Sequence, residues 1–276
     1  MSLPPLFAKL ELLESLGDMH RVWRTERGIL KDCGSSTEAE RELGALVLAQ
    51  QLVGTRVRVP NILEQQDECL LLEDLGQRSP QTFRHTRLAA EYLARLHGDE
   101  IPEEVVALLC DKGHAHYWHS ALVNRLRQEG AYAKEAFSSE TGVVDAFARC
   151  IESIATLELP DHSDVVGHGD FQFKNLCFSD SNGICAVDWH DFGLCNRWYE
   201  IGHLLYTLPE SHGSVVADAY QAVSSVALTD WNAGLRYGKA VDRIIRAGNE
   251  ARRSTAENPL FDEFRKFVDD LDDGLA

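Results

Sequence analysis

His168-Gly169-Asp170-Phe171-Gln172-Phe173-Lys174-Asn175, followed by Asp188-Trp189-His190-Asp191-Phe192-Gly193, is the stretch whose reading decides the fold. Phosphoryl transfer from a nucleotide needs one carboxylate to orient the acceptor hydroxyl and further oxygen ligands to hold Mg2+ against the phosphates. Asp170, Asn175 and Asp188 supply those oxygens in a short span. Val165-Val166-Gly167 reads as a buried strand, which places Asp170 on a loop just past a strand end. Leu176-Cys177-Phe178 and Ile184-Cys185-Ala186-Val187 flank the turn cluster Ser179-Asp180-Ser181-Asn182-Gly183, so they read as a hairpin. Asn175 opens the first strand and Asp188 closes the second. The two ligands then lie about one strand spacing apart, roughly 5 Å, and can share one ion.

Residues 165 to 205 resemble the catalytic core of the aminoglycoside phosphotransferase and choline kinase superfamily, small-molecule kinases that share the protein-kinase fold. The shared pattern is H-G-D-x-x-x-x-N followed by hydrophobic-D-W/F-x-x-x-G. The resemblance implies an α+β, bilobal fold with a small β-rich N-terminal lobe (1–75) and a larger helical lobe (76–276) that carries the catalytic loop and the acceptor site. It implies Asp170 as catalytic base, Asn175 and Asp188 as Mg2+ ligands, ATP or GTP as co-substrate, and a structural His168. One position departs from the pattern. Where the family carries an Asp-Leu pair that braces the catalytic loop, this chain has Glu200-Ile201.

In the first lobe, Val22–Thr25 and Ile29–Lys31 read as a hairpin around Glu26-Arg27-Gly28. A Lys on an apolar strand here is the expected partner of nucleotide phosphates, held by a carboxylate from the next helix. Glu42 is the favoured carboxylate because Leu46 at i+4 shares its face; Glu40 competes. The phosphate-covering loop falls near Ser15–His20 and contains a single glycine, Gly17, so G-x-G-x-x-G is absent. Val57–Leu63 and Cys69–Leu72 read as strands, and Glu73-Asp74-Leu75-Gly76 as the crossing between lobes, where the resemblance to kinase folds implies that the backbone at Glu73 and Leu75 meets the adenine edge. Helices are expected over 86–97, about 115–137, about 143–157, 198–208, 215–228 and 231–253.

Apolar residues make up 44% and charged residues 26% of the 276, as in ordinary soluble domains. No apolar run approaches a membrane span, and Met1-Ser2-Leu3-Pro4-Pro5 lacks the flanks of a secretory signal. The seven cysteines form no C-x-x-C pair, which points to a reducing cytoplasm. His114, His116 and His119 lack Cys or acidic ligands in register for a metal site. A net charge of −17 argues against nucleic acid and suits a cationic acceptor such as an aminoglycoside or amino alcohol. Two other readings stand beside the small-molecule kinase. One is a peptide Ser/Thr kinase working with a partner protein on a precursor peptide. The other is a non-catalytic nucleotide-binding scaffold, against which the retention of Lys31, Asp170, Asn175 and Asp188 together speaks. Arg236, Lys239, Arg243 and Arg246 fall on one helical face, as a solvated stripe or a dock for an acidic partner.

Overall fold

A computed structural model of the chain describes residues 11–16, 20–98, 101–157, 164–180, 183–224, 231–254 and 260–275. Strands β1 (Glu11–Leu16), β2 (His20–Arg24) and β3 (Ile29–Asp32) lead into helix α1 (Ser36–Val53), then β4 (Ile62–Gln66) and β5 (Cys69–Leu72). They form one antiparallel sheet in the order β1-β2-β3-β5-β4. The β2–β3 turn closes on Thr25, whose hydroxyl accepts from the amides of Arg27 and Gly28. Successive side chains alternate across a strand. Leu30 therefore packs with Trp23 and Leu71 on one face, while Lys31, opposite Val22 and Leu70, projects from the other. Ser35 caps α1 by accepting from the Glu38 amide. The stripe Ala39, Glu42, Leu46, Ala49 and Val53 faces inward, which places Glu42 on a buried face and Glu40 in solvent.

One segment differs from the sequence reading here. Val57 and Val59 are buried but not in a strand, because pairing with β5 begins only at Ile62, and Pro60 has no N–H to give a ladder.

The larger part is mostly helical. β6 (Gln77–Arg78) follows the crossing segment, then α2 (Phe83–His97), α3 (Glu103–Asp111), α4 (His119–Ala136) and α5 (Thr141–Ala155). After β7 (Asp164–Gly167) come β8 (Leu176–Ser179), β9 (Gly183–Ala186) and β10 (Gly193–Asn196). Helices α6 (Arg197–Tyr206), α7 (Gly213–Val223), α8 (Trp231–Arg253) and α9 (Phe261–Leu275) complete it. β8 and β9 form the expected hairpin, with β6 added on the outer edge of β8; β7 pairs antiparallel with β10. Helix α2 starts at Phe83, not Thr86, because the Thr82 hydroxyl caps it. Helix α4 starts at His119 rather than near 115. α3 and β10 were not legible from periodicity, and the acidic run Asp269–Asp273 lies within α9.

Helices α6 and α8 cross with their backbones nearly touching. A Cβ at Gly202 would lie 2.4 Å from the Gly238 carbonyl carbon, and one at Gly238 would lie 1.8 Å from the Trp198 oxygen. Glycine at both positions permits this approach, and it brings His203 of α6 within hydrogen-bond reach of Asp242 of α8. Among the described residues no helix is long and apolar enough to cross a membrane.

Candidate active site

Lys31 Nζ lies 2.5 Å from Glu42 Oε2 and 2.7 Å from Asp188 Oδ1. Strand β3 and helix α1 of the small sheet thus meet the loop after β9 at a single ammonium. Burial lowers a lysine pKa, but the Glu42 and Asp188 carboxylates more than reverse this and hold Lys31 above its ordinary range. Asp188 adopts a positive φ of 67°, an uncommon conformation for a residue with a side chain. It is pinned there by Lys31 and by His190, whose Nδ1 is 3.0 Å from Asp188 Oδ1. Burial opposes the Asp188 charge, yet the His190 hydrogen bond and the Lys31 charge bring its pKa well below the usual carboxylate range. The same two-sided setting, with Asp188 on one nitrogen and Asp191 on the other, overcomes burial and raises His190 to about 10. Arg41 on α1 reaches Asp191 at 3.0 Å, a second tie between the two parts of the fold.

The catalytic-loop candidates converge on Asp170. Asn175 donates through Nδ2 to Asp170 Oδ2 at 2.8 Å and to the Asp170 carbonyl at 3.0 Å. The amide oxygen of Asn175 is then the atom left to face a cation. Gln172 Nε2 and His203 Nε2 both lie on Asp170 Oδ1, at 2.6 and 2.7 Å. Burial raises the Asp170 pKa, but the His203 hydrogen bond and the His203 and Lys174 charges more than cancel it, so the carboxylate stays ionised. The Val187 amide donates to the Asn175 carbonyl at 2.8 Å, which sets the residue before Asp188 directly opposite Asn175.

Glu200 does the bracing expected of an Asp at this position. Its fully buried carboxylate accepts from the Gly169 amide at 2.6 Å, the His168 amide at 3.2 Å and His97 Nε2 at 2.8 Å. Gly167 makes room for the longer side chain, since a Cβ there would lie 2.3 Å from Glu200 Oε2. Burial lowers the His97 pKa, so the ring is neutral; its Nδ1 accepts from the Tyr220 hydroxyl. His168 is buried and neutral too, donating through Nε2 to the Val187 carbonyl and accepting the Asp170 amide at Nδ1. It shapes the loop, as the sequence suggested.

Comparison with known proteins gives the family to which this chain belongs. The family model described as the APH phosphotransferase enzyme family matches residues 11–235. The chain belongs to that family. Its members transfer phosphoryl groups to hydroxyls, so this phosphotransferase is an enzyme of the same class. Among solved structures, it resembles the macrolide 2'-phosphotransferase from Brachybacterium faecium, with TM-score 0.67, 16% identity, and coverage of 94% of this chain and 91% of that one. It resembles the ADP-bound aminoglycoside phosphotransferase APH(2'')-Ib, with TM-score 0.69, 17% identity, and coverage of 97% and 93%. A choline/ethanolamine kinase family protein from Mesorhizobium loti matches with TM-score 0.63, 17% identity, and coverage of 97% and 87%. No individually curated protein matches the sequence. These likenesses establish the bilobal kinase-like fold of the phosphotransferase.

Asn175 and Asp188 suit Mg2+ chemically. They offer an amide oxygen and a carboxylate, hard donors of the kind that Mg2+ uses in small number alongside substrate phosphates. At the crossing segment, Leu75 is buried, and the Glu73 carboxylate is taken up by Arg58 and by Asn61 Nδ2, so neither side chain is available to a nucleotide. Arg24 ties β2 to this segment through Asp74 and the Gly76 carbonyl. Gly17 lies outside the described residues. His114 Nδ1 bonds the Phe192 carbonyl. Among the described residues no group of three or more His, Cys, Asp or Glu side chains is arranged to hold a metal.

Sequence reasoning missed His190 and His203. For His203 a signal existed: it stands at i+3 from Glu200, on the helix face that points at the catalytic loop. Of the basic stripe on α8, Arg246 is not a free solvent charge. Its Nε bonds Asp242 at 2.8 Å, and its guanidinium lies 3.8 Å from the centre of the Tyr206 ring.

Proposed function

We propose that this phosphotransferase moves the γ-phosphate of ATP or GTP to a hydroxyl of a small molecule. The observation that carries the reading is the meeting of Lys31, Glu42 and Asp188 beside a loop in which Asn175 is hydrogen-bonded to Asp170. The lobe of residues 1–75 would hold the nucleotide, with the Glu73–Leu75 backbone against the adenine. Lys31, kept charged by Glu42, would align the phosphates. Asn175 and Asp188 would hold Mg2+, which when bound supplies positive charge against the phosphate oxygens. Asp170 would accept the hydrogen bond of the acceptor hydroxyl. As a weakly basic carboxylate it orients the nucleophile in a loose transition state and takes the proton late. A net charge of −17 favours an amine-bearing acceptor, such as an aminoglycoside or amino alcohol.

The test is a phosphate-transfer screen with ATP and GTP across aminoglycosides, macrolides, amino alcohols, sugars and Ser/Thr peptides. Mg2+-dependent transfer to one hydroxyl class, abolished by Asp170→Ala in a folded protein, is the expected result. Nucleotide binding without transfer to any acceptor would favour a scaffold instead. Transfer confined to peptides would move the acceptor to a macromolecule.

A further inference from the structure

Behind the acceptor side of Asp170 runs a chain of alternating charges that the proposed transfer step does not yet use. His203 on α6 sits between two carboxylates, with Nε2 2.7 Å from Asp170 Oδ1 and Nδ1 2.5 Å from Asp242 Oδ1. Asp242, on α8 and 1% exposed, is held in turn by Arg246 Nε at 2.8 Å. The Gly202–Gly238 crossing brings the two helices close enough for these contacts.

A neutral imidazole carries one N–H and would leave its second nitrogen lone pair facing a carboxylate oxygen at hydrogen-bond distance. Protons on both nitrogens remove that conflict. The four groups Asp170, His203, Asp242 and Arg246 then sum to zero charge, which allows them to be buried together. The groups facing the ring are Asp170 from the catalytic loop, Asp242 from α8 with Arg246 behind it, and Tyr199 on its own helix, whose ring centre is 5.4 Å away. Burial disfavours the cation, but the two carboxylates outweigh it and raise His203 to about 9.

We propose that His203 is a positioning residue for phosphoryl transfer: clamped against Asp242, it fixes the Asp170 carboxylate so that Oδ2 is the oxygen presented to the acceptor hydroxyl. Oδ1 is occupied by Gln172 and His203, whereas among the described residues Oδ2 receives only the Asn175 amide. An oxygen with one donor has a lone pair to spare, and an oxygen with two does not. Without the clamp the carboxylate can rotate about its last bond and lose that alignment. Misplacement of a reacting group by about 1 Å can cost about 100-fold in rate. The inference rests on the reading of Asp170 as the acceptor-facing carboxylate.

The experiment compares wild type, His203→Gln, Asp242→Asn, the double variant and Asp170→Ala, using Mg2+ with ATP or GTP as probes and phosphate release to water as the readout. Each rate is normalised to folded protein. The expected result is a kcat lower by roughly 10- to 100-fold in His203→Gln. Asp242→Asn should fall in the same direction, the double variant no further, and the nucleotide KM should stay within about threefold, since Lys31 and Glu42 are untouched. A merely structural role would lower the melting temperature and leave kcat per folded molecule intact. If His203→Gln keeps the wild-type kcat while Asp170→Ala abolishes release, the clamp is refuted and the assignment of Asp170 survives. If Asp170→Ala keeps the wild-type rate, the assignment itself fails. Should His203→Gln not fold, Asp242→Asn decides by the same criterion. Should neither fold, the histidine nitrogen NMR spectrum of the wild type near pH 8 decides. Two ring protons on His203 support the clamp, and one overturns it.

Discussion

Replacing Glu200 with Gln should loosen the catalytic loop and lower stability together. The carboxylate is fully buried and accepts three hydrogen bonds, from the Gly169 amide at 2.6 Å, the His168 amide at 3.2 Å and His97 Nε2 at 2.8 Å. All three partners are donors. A Gln side chain keeps one accepting oxygen and turns an NH2 group toward at least one of them. One buried donor then goes unpaired, at about 1–3 kcal/mol. The bonds that survive change from charge-assisted to neutral and lose about half their strength, about 1 kcal/mol each. The expected loss is about 3–5 kcal/mol, or a Tm lower by roughly 6–15 °C for a chain of this size. Because Glu200 anchors the two residues before Asp170, kcat per folded molecule should also drop, by roughly 10-fold or more. Urea unfolding, a thermal scan and a turnover assay on the same preparations measure all of this. Glu200→Asp keeps the charge but shortens the reach and leaves space at Gly167, so it should fall between wild type and Glu200→Gln. A Glu200→Gln protein with Tm within about 2 °C of wild type and unchanged kcat would refute the bracing account.

Lys31→Met should abolish turnover and, by leaving Glu42 buried without its cation, cost about 3–5 kcal/mol in chemical denaturation. Adding Glu42→Met should restore most of that stability and none of the turnover. The pH dependence of stability carries a sign set by His203. Its folded-state pKa of about 9 exceeds the ordinary 6.5, so the stabilisation is complete below about pH 6.5 and vanishes as pH rises through 9. The difference in unfolding free energy between wild type and His203→Gln should therefore shrink by about 3 kcal/mol from pH 6 to pH 10. A difference that stays constant or grows over that interval would contradict the buried cation.

The parts legible in the sequence were those whose physics is local. The β8–β9 hairpin announces itself by its turn cluster, and α1 by an apolar stripe that favours Glu42 as the inward carboxylate, while the choice against Glu40 is made by the packed helix. Lys31 is visible because a cation on an apolar strand needs a carboxylate. What was not legible depends on distant segments meeting. β10 is a strand only because β7 lies beside it, and Val57–Asn61 is not one because β5 has no residue opposite. Glu200 could be expected to brace the loop, but not the accommodation by Gly167. The His203–Asp242 clamp depends on a glycine-mediated helix crossing, and no periodicity within α6 or α8 reveals it. The α8 basic stripe shows the converse: helical spacing identified a face, while tertiary packing turned Arg246 into a partner for Asp242 and Tyr206.

The central claim is that Asp170, Asn175 and Asp188 serve one metal-bound nucleotide, and Mn2+ standing in for Mg2+ tests it most directly. Electron paramagnetic resonance titrations with ATP or GTP present should show Mn2+ binding that weakens at least about tenfold in Asn175→Ala and Asp188→Asn. Asp170→Ala should bind Mn2+ and nucleotide as wild type does and transfer no phosphate. Unchanged Mn2+ affinity in Asp188→Asn, or full turnover in Asp170→Ala, would contradict the account.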